Sequence, residues 1–357
     1  MMVFRLIPFI WMVQLPTASG AVEMMTWTRF ARFQIIASPA SNSCVLTSPW
    51  VATSQPWLEA IPSWNISGSD SLGIKVELRV GLAEGESRWY NLGRWSLMTN
   101  QFPRCSEPNQ KDSDGQVLTD TLRVAKPATH CQMRVTIEGR TNALDVHMLS
   151  LCLSNPTVTN KSPTTWCPVE SELPVPQLSQ GNYPGGETAW CSPTSLAMVL
   201  NYWGIRTRQE QLGKHVPEIA QAVFDPQWPG TGNWAFNMAY AGSFPTLRAT
   251  VARFENLAQI EPWLRSGVPI VLSVSYPILK GLPERAGGHL VVCVGFNEEG
   301  ELILNDPGSK RQPRLIVSAS MVDQAWAESG RTAYVVHPKN WKVPPWRTKA
   351  KDQGFSR

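Results

Sequence analysis

The stretch from Ser154 to Pro176 divides this chain in two. Pro156, Pro163, Pro168, Pro174 and Pro176 stand in it among Ser, Thr and Asn. Each proline fixes its own φ and removes a backbone donor, so neither helix nor sheet ladder can run through the stretch. A chain of 357 residues is also too long for one ordinary core. The expectation is a β domain over 22–155, a linker over 156–173, a second domain over 174–340 and a basic tail over 341–357.

Before the linker the hydrophobic period is two. Ile74, Val76, Leu78 and Val80 alternate with Lys75, Glu77 and Arg79, which puts one face in a core and the other in water. Cys131, Met133, Val135 and Ile137 repeat the pattern, and Leu144, Val146 and Met148 begin another strand. Turn clusters such as Asn109–Gly115 separate these runs. The expected architecture is all-β and sandwich-like. Eight of the sixteen Trp residues precede residue 170. They read equally as core anchors of a spacer or as platforms for a carbohydrate or cell-surface ligand.

After the linker, helical and strand periods mix, as in an α+β domain. Leu196, Val199, Leu200 and Trp203 recur at helical spacing; Pro193 suits the first turn, and Gly204 suits the position past the end. Cys191 therefore sits at a helix N-terminus, where unpaired N–H groups and the dipole favour a thiolate. Packing or a disulfide would place a cysteine there equally well. His289 opens a run, Leu290–Phe296, apolar on both faces, as a structural histidine also could.

Asn297–Gly300 reads as a four-residue turn into a second strand. A hairpin closed there sets Phe296 opposite Glu301 and Val291 opposite Asp306. His289 and Val291 share a face, so Asp306 becomes the diagonal neighbour of His289. A one-residue slip would send Asp306 to the other face, and Asn-Asp-Pro-Gly is also a plain turn sequence. Together Cys191, His289 and Asp306 have the residue types of nucleophile, base and orienting acid for acyl transfer. An oxyanion needs donors: the helix-start N–H is one, and Gln180 or Gln177 a side-chain candidate for the other.

These boxes resemble a known family. Val175-Pro176-Gln177-Leu178-Ser179-Gln180 and Gly186-Glu187-Thr188-Ala189-Trp190-Cys191-Ser192-Pro193-Thr194 are similar to the Gln and Cys boxes of C39-like peptidases. These belong to the papain-like superfamily and are related to bacteriocin-processing endopeptidases. Gly288-His289-Leu290-Val291-Val292 resembles the family's His box, and Asn305-Asp306-Pro307 its acidic box. Gly230-Thr231-Gly232-Asn233-Trp234 and Asn237 resemble a segment of exported members. The resemblance covers about residues 174–338. It implies a papain-like fold, with Cys191 as nucleophile, His289 as base, Asp306 as orienter and Gln180 as oxyanion donor, and no cofactor. Two departures stand out. Gln180 lies eleven residues before Cys191 rather than about six, so a loop must return it, and Ser192 replaces the usual Gly. Residues 22–155 carry no motif that by itself points to a known family.

The first 21 residues read as an export signal: Arg5, an apolar run Leu6–Leu15 too short to span a bilayer, then Ala18-Ser19-Gly20-Ala21. Secreted, periplasmic or cell-surface residence is the expectation, with no transmembrane span. Seven cysteines in an exported chain leave at least one free thiol, and Cys191 is the candidate; the other six allow up to three disulfides, mostly in the first domain. Cys293, in an apolar strand, reads as a buried thiol. A formal charge of +4 without a basic run argues against nucleic acid as a partner. The five His residues show no metal-ligand spacing. The function expected is an exported cysteine peptidase acting on peptide or protein substrates. A catalytically silent binding module, and a peptidoglycan amidase or acyl-transferase using the same residues, are the alternatives.

Overall fold

A computed structural model describes residues 22–346 apart from 69–70, 83–84, 144, 159–167 and 284–286. The export signal, Cys167, Leu144, most of the linker and the end of the basic tail lie outside the described residues.

The first domain is all β. Its ten strands join in a single hydrogen-bonded sheet rather than the two of a sandwich. Two strands are responsible: Val51–Ile66 with 16 residues and Thr121–Glu138 with 18. Such lengths run past any flat ladder. Their mutual register shifts between Ala52 and Trp57 and again between Trp57 and Glu59, and bulges of this kind bend and twist strands. The sheet thereby curls over its own apolar face. Ile74, Val76, Leu78 and Val80 are buried there as their alternation requires. Trp57, Trp64 and Trp95 are core residues. Trp50 and Trp89 are half-buried instead, and each ring lies 4.8 Å from the Arg79 guanidinium held between them.

The second domain has a seven-stranded sheet and a central helix, Cys191–Thr207. Every residue from Ser192 to Leu200 is buried, so the first half of this helix is enclosed on all sides rather than amphipathic. The helix also continues through Gly204, the expected stop, and closes at Arg208 in the left-handed conformation. Trp203 Nε1 donates to Val336 O at 2.8 Å and Thr207 Oγ1 to Trp203 O at 2.6 Å; this packing carries the helix one turn further. The end of the expected linker joins the sheet. Ser171–Glu172 pairs with Gly295–Phe296, and Gly295 is required because a Cβ there would meet Ser171 O at 1.8 Å. The start of the expected tail is packed too: Trp346 lies 4.5 Å from Trp263, ring to ring.

The two domains share one contiguous apolar core. Among the described residues the strand Leu247–Arg253 pairs only with Thr332–Pro338 in its own sheet, which leaves an edge. First-domain side chains satisfy it. Asn65 donates to Ala249 O at 2.8 Å and accepts from Ala249 N at 3.0 Å, imitating a ladder rung. Ser63 Oγ accepts from Val251 N at 2.9 Å. Phe236, on the helix Trp234–Gly242, packs against Trp64 and Trp95. Arg253 pairs with Glu59, both buried. A covered, hydrogen-bonded edge cannot template aggregation, so the first domain functions as part of the fold and not as a free spacer.

Candidate active site

Cys191 is the first residue of the central helix. The preceding Trp190 provides no side-chain cap, so the first-turn N–H groups and the positive end of the dipole are presented at the thiol. Ser195 Oγ donates to Leu290 O at 3.1 Å and ties this turn to the strand Gly288–Phe296, which carries His289 near its start. The helix start and the strand start therefore meet.

His289 is 6% exposed. Its Nε2 lies 2.7 Å from Asp306 Oδ1, which leaves Nδ1 for its hydrogen bond with Cys191. Asp306 is fully buried. Its Oδ1 also accepts from Gly308 N at 2.8 Å, and its Oδ2 accepts from Lys280 Nζ at 2.8 Å. A Cβ on Gly308 would sit 3.1 Å from Asp306 Oδ1 and 3.2 Å from His289 Cε1, so this glycine lets the acidic turn close on the imidazole.

Burial pushes the Cys191 thiol up, but the hydrogen bond and charge of His289, with backbone hydrogen bonds from Leu290 and Ser192, bring it below its ordinary value. Burial lowers His289, yet Asp306 and the thiolate raise it to about 9. Burial likewise opposes ionisation of Asp306, but His289 and Lys280 hold its carboxyl at about 2. All three shifts favour one state: thiolate, imidazolium, carboxylate.

The hairpin reaches the expected pairing by another route. Phe296 pairs with Leu302, so the loop has one residue more than the four-residue turn. The register then shifts between Cys293 and Gly295, leaving Val292 opposite Asn305. Val294 is the extra residue on its strand and cancels the slip. Its carbonyl accepts from Leu173 N at 2.8 Å, so the incoming linker uses the bulge as its anchor.

Gln180 is buried, and its N–H donates to Pro307 O at 2.9 Å, beside Asp306. The segment from Gln180 to Trp190 folds as successive turns. Gln180 Nε2 donates to Glu187 O at 2.8 Å and its Oε1 has no hydrogen-bond partner. One Nε2 hydrogen is thus committed within the loop. The carbonyl acceptor also fixes which end of the amide is nitrogen.

Two residues at the site escaped sequence reasoning. Lys280 follows the short helix Tyr276–Leu279, and the Tyr276 ring lies 4.5 Å from the His289 ring. Neither has a periodicity or motif. The available signal was topological: Ile270–Ser275 pairs with Gly288–Phe296, so the residues joining these strands must lie at the His289 end. The expected disulfides do not form among the described residues: all six described cysteines are free, Cys191 and Cys293 as expected. Cys44, Cys131, Cys152 and Cys293 are buried in the sheets, and Cys152 Sγ accepts from Arg253 N across the domain interface.

Comparison with known proteins matches both domains. Residues 172–334 match the peptidase C39-like family, and residues 37–154 match the peptidase C39 N-terminal domain. A solved structure from Bacillus anthracis, described as a C39-like peptidase, aligns at 17% identity over 49% of this chain and 100% of its own, with a TM-score of 0.36. A carbohydrate-binding module of the β-sandwich superfamily aligns at 11% identity over 38% of this chain and 56% of its own, with a TM-score of 0.14. No curated protein matches the sequence. The second domain is thus similar to the C39-like peptidases, a cysteine-peptidase-like group.

Proposed function

We propose that this C39-like chain is a cysteine peptidase that hydrolyses peptide bonds through Cys191, His289 and Asp306. The observation that carries the reading is His289 bonded on one side to a buried carboxylate and on the other to a thiol at a helix start.

The Cys191 thiolate attacks the scissile carbonyl carbon. The carbonyl π electrons move to oxygen, and the helix-start N–H receives the developing charge. The second hydrogen of Gln180 Nε2, the one not held by Glu187 O, is the candidate second donor. As the tetrahedral intermediate collapses, the C–N bond breaks and the His289 imidazolium protonates the departing amine. Neutral His289 then takes a proton from water, whose oxygen attacks the thioester carbon. Collapse of this second intermediate frees the acid and regenerates the thiolate–imidazolium pair. Asp306 holds the imidazole in position and offsets its charge throughout. The N-terminal sequence supports a proposal of export, and no helix among the described residues is long and apolar enough to cross a membrane.

The test is the rate of iodoacetamide alkylation of each cysteine against pH, with hydrolysis of a peptide library alongside. Cys191 alone should alkylate fast below about pH 7, slow sharply in His289→Ala, and be required for hydrolysis. The engagement of Gln180 by its own loop favours a second reading, a silent binding module on the same scaffold. A Cys191 that reacts only near its ordinary range, in a protein that cleaves nothing, would select it.

A further inference from the structure

Ser192 is one of the two departures of this chain from the C39-like boxes, and its hydroxyl has a partner. Ser192 Oγ lies 2.9 Å from Tyr334 OH, and both residues are fully buried. Among the described residues each is the other's side-chain hydrogen-bond partner and has no second one. Separated in a water-free interior, either hydroxyl would be left unpaired. Tyr334 belongs to the strand Thr332–Pro338. It pairs there with Val251 on one side and Val271 on the other. The tyrosine is thus fixed by two neighbouring strands, and its hydroxyl is a rigid point for the helix to meet.

The contact bears on the nucleophile because of where Ser192 stands. It follows Cys191, the first residue of the helix. Its N–H is among the first-turn donors that have no acceptor inside a helix. That N–H, with the N–H of Leu290, bonds the Cys191 sulfur. Such bonds strengthen when the sulfur is charged, and they weaken steeply when the donor turns away. The Ser192 backbone is held to its line by the side chain tied to Tyr334. Ser195 Oγ makes a second tie, donating to Leu290 O at 3.1 Å. Leu290 lies on the strand after His289, and Tyr334 lies two strands away, with Ile270–Ser275 between them. One tie alone would let the first turn pivot. Two ties on separate strands fix its orientation against the base.

We propose that Tyr334 is a positioning residue for the nucleophile: through the Ser192 hydroxyl it keeps the helix-start N–H aimed at the Cys191 sulfur. The inference rests on the cysteine-peptidase reading and adds to it a residue that acts only through another. The titratable groups facing Tyr334 are Cys191 itself and Asp120 of the first domain. Proteins compared at the same pH share the charge of Asp120, so a difference between them reports the hydroxyl contact.

The experiment is the pH profile of Cys191 alkylation by iodoacetamide in wild type, Tyr334→Phe, Ser192→Ala and the double variant, with the Tm of each. Tyr334→Phe keeps the ring and removes only the hydroxyl. Its acid limb should move to higher pH, so that the rate on that limb falls by roughly three- to tenfold, part of what a hydrogen bond to a charged group contributes. The rate where the thiol is fully ionised should stay at the wild-type level. Ser192→Ala should reproduce the shift, and the double variant should add nothing, because all three break one contact. A wild-type profile in both single variants, even with a lowered Tm, would overturn the proposal and leave the contact a purely structural one. Additive shifts would overturn it too, since the two residues would then act separately. Should Tyr334→Phe fail to fold, Ser192→Ala, which leaves the sheet untouched, decides alone. A wild-type Cys191 whose alkylation ignores His289→Ala would instead remove the peptidase reading, and this inference with it.

Discussion

Lys280 and His289 grip opposite oxygens of one carboxylate: Lys280 Nζ at 2.8 Å from Asp306 Oδ2, and His289 Nε2 at 2.7 Å from Asp306 Oδ1. The carboxylate thus answers to two cations. Lys280 steadies the rotamer of Asp306 but also places positive charge near the imidazolium. Replacing it with Met removes both influences. The pH above which Cys191 alkylation loses its His289 dependence should move upward, since the imidazolium loses a repulsive neighbour. The rate at pH 7 should fall by less than about tenfold, because the Lys280 side chain is partly exposed and such pairs couple weakly.

Asp306→Asn tests charge separately from geometry. The amide keeps an acceptor for His289 but offers no counter-charge. Burial lowers His289 but Asp306, the strongest of the groups that raise it, helps bring it to about 9, so without the charge it should titrate at lower pH. A raised base keeps its proton until pH passes the raised value. The thiolate–imidazolium window should therefore close from the alkaline side, toward the ordinary histidine value of about 6.5. The alkylation pH profile reads this directly, and an unmoved alkaline limb would contradict it. Asp306→Ala should be worse, since it leaves a buried imidazole nitrogen without a partner.

Asp120 gives the interface a pH dependence of its own. This buried carboxyl accepts from Trp234 N at 2.6 Å at the start of a second-domain helix. Burial raises it to about 6, against the helix-start hydrogen bonds that favour its charge. A carboxyl whose folded value is raised stabilises the fold below its unfolded value and loses that contribution as pH rises through the folded one. The stabilisation is complete below about pH 4 and gone above about pH 6, a swing of roughly 3 kcal/mol. Asp120→Asn cannot titrate. The Tm of wild type minus that of Asp120→Asn should therefore decrease from pH 4 to pH 7, and a flat difference would refute the assignment.

Glu59 joins the domains from the buried side. It pairs with Arg253, which also donates to Ser154 Oγ at 2.6 Å, and with Arg123. Removing one member of a buried pair leaves the other uncompensated, at a cost of about 3–5 kcal/mol. Glu59→Ala should lower stability by that order in urea unfolding. The shared core predicts that both domains unfold in one transition, so tryptophan fluorescence and far-UV dichroism should coincide. Two separated transitions in the wild type would mean that the interface is weaker than its contacts imply.

What sequence alone determined was local. The period of two placed the first-domain strands because a pleated ladder enforces alternation, and Ile74, Val76, Leu78 and Val80 are buried accordingly. The thiol at a helix start was legible from Pro193 and the apolar spacing after it. His289, Asp306 and Gln180 were legible from the order of their boxes, and the structure gathers these residues along the same turn and strand ends. Tertiary structure decided what has no local period. The five-residue loop and the Val294 bulge offset one another, and neither leaves a mark that alternation can read, since each shifts register by one residue. Lys280 and Tyr276 enter the site because two strands pair, a contact formed across the chain. The Pro-rich stretch signalled two separate units because it breaks backbone regularity. Whether the units then share a core depends on which faces remain apolar after each has folded. Here Trp64, Trp95 and the open edge of Leu247–Arg253 had surfaces to cover, and each domain covered those of the other.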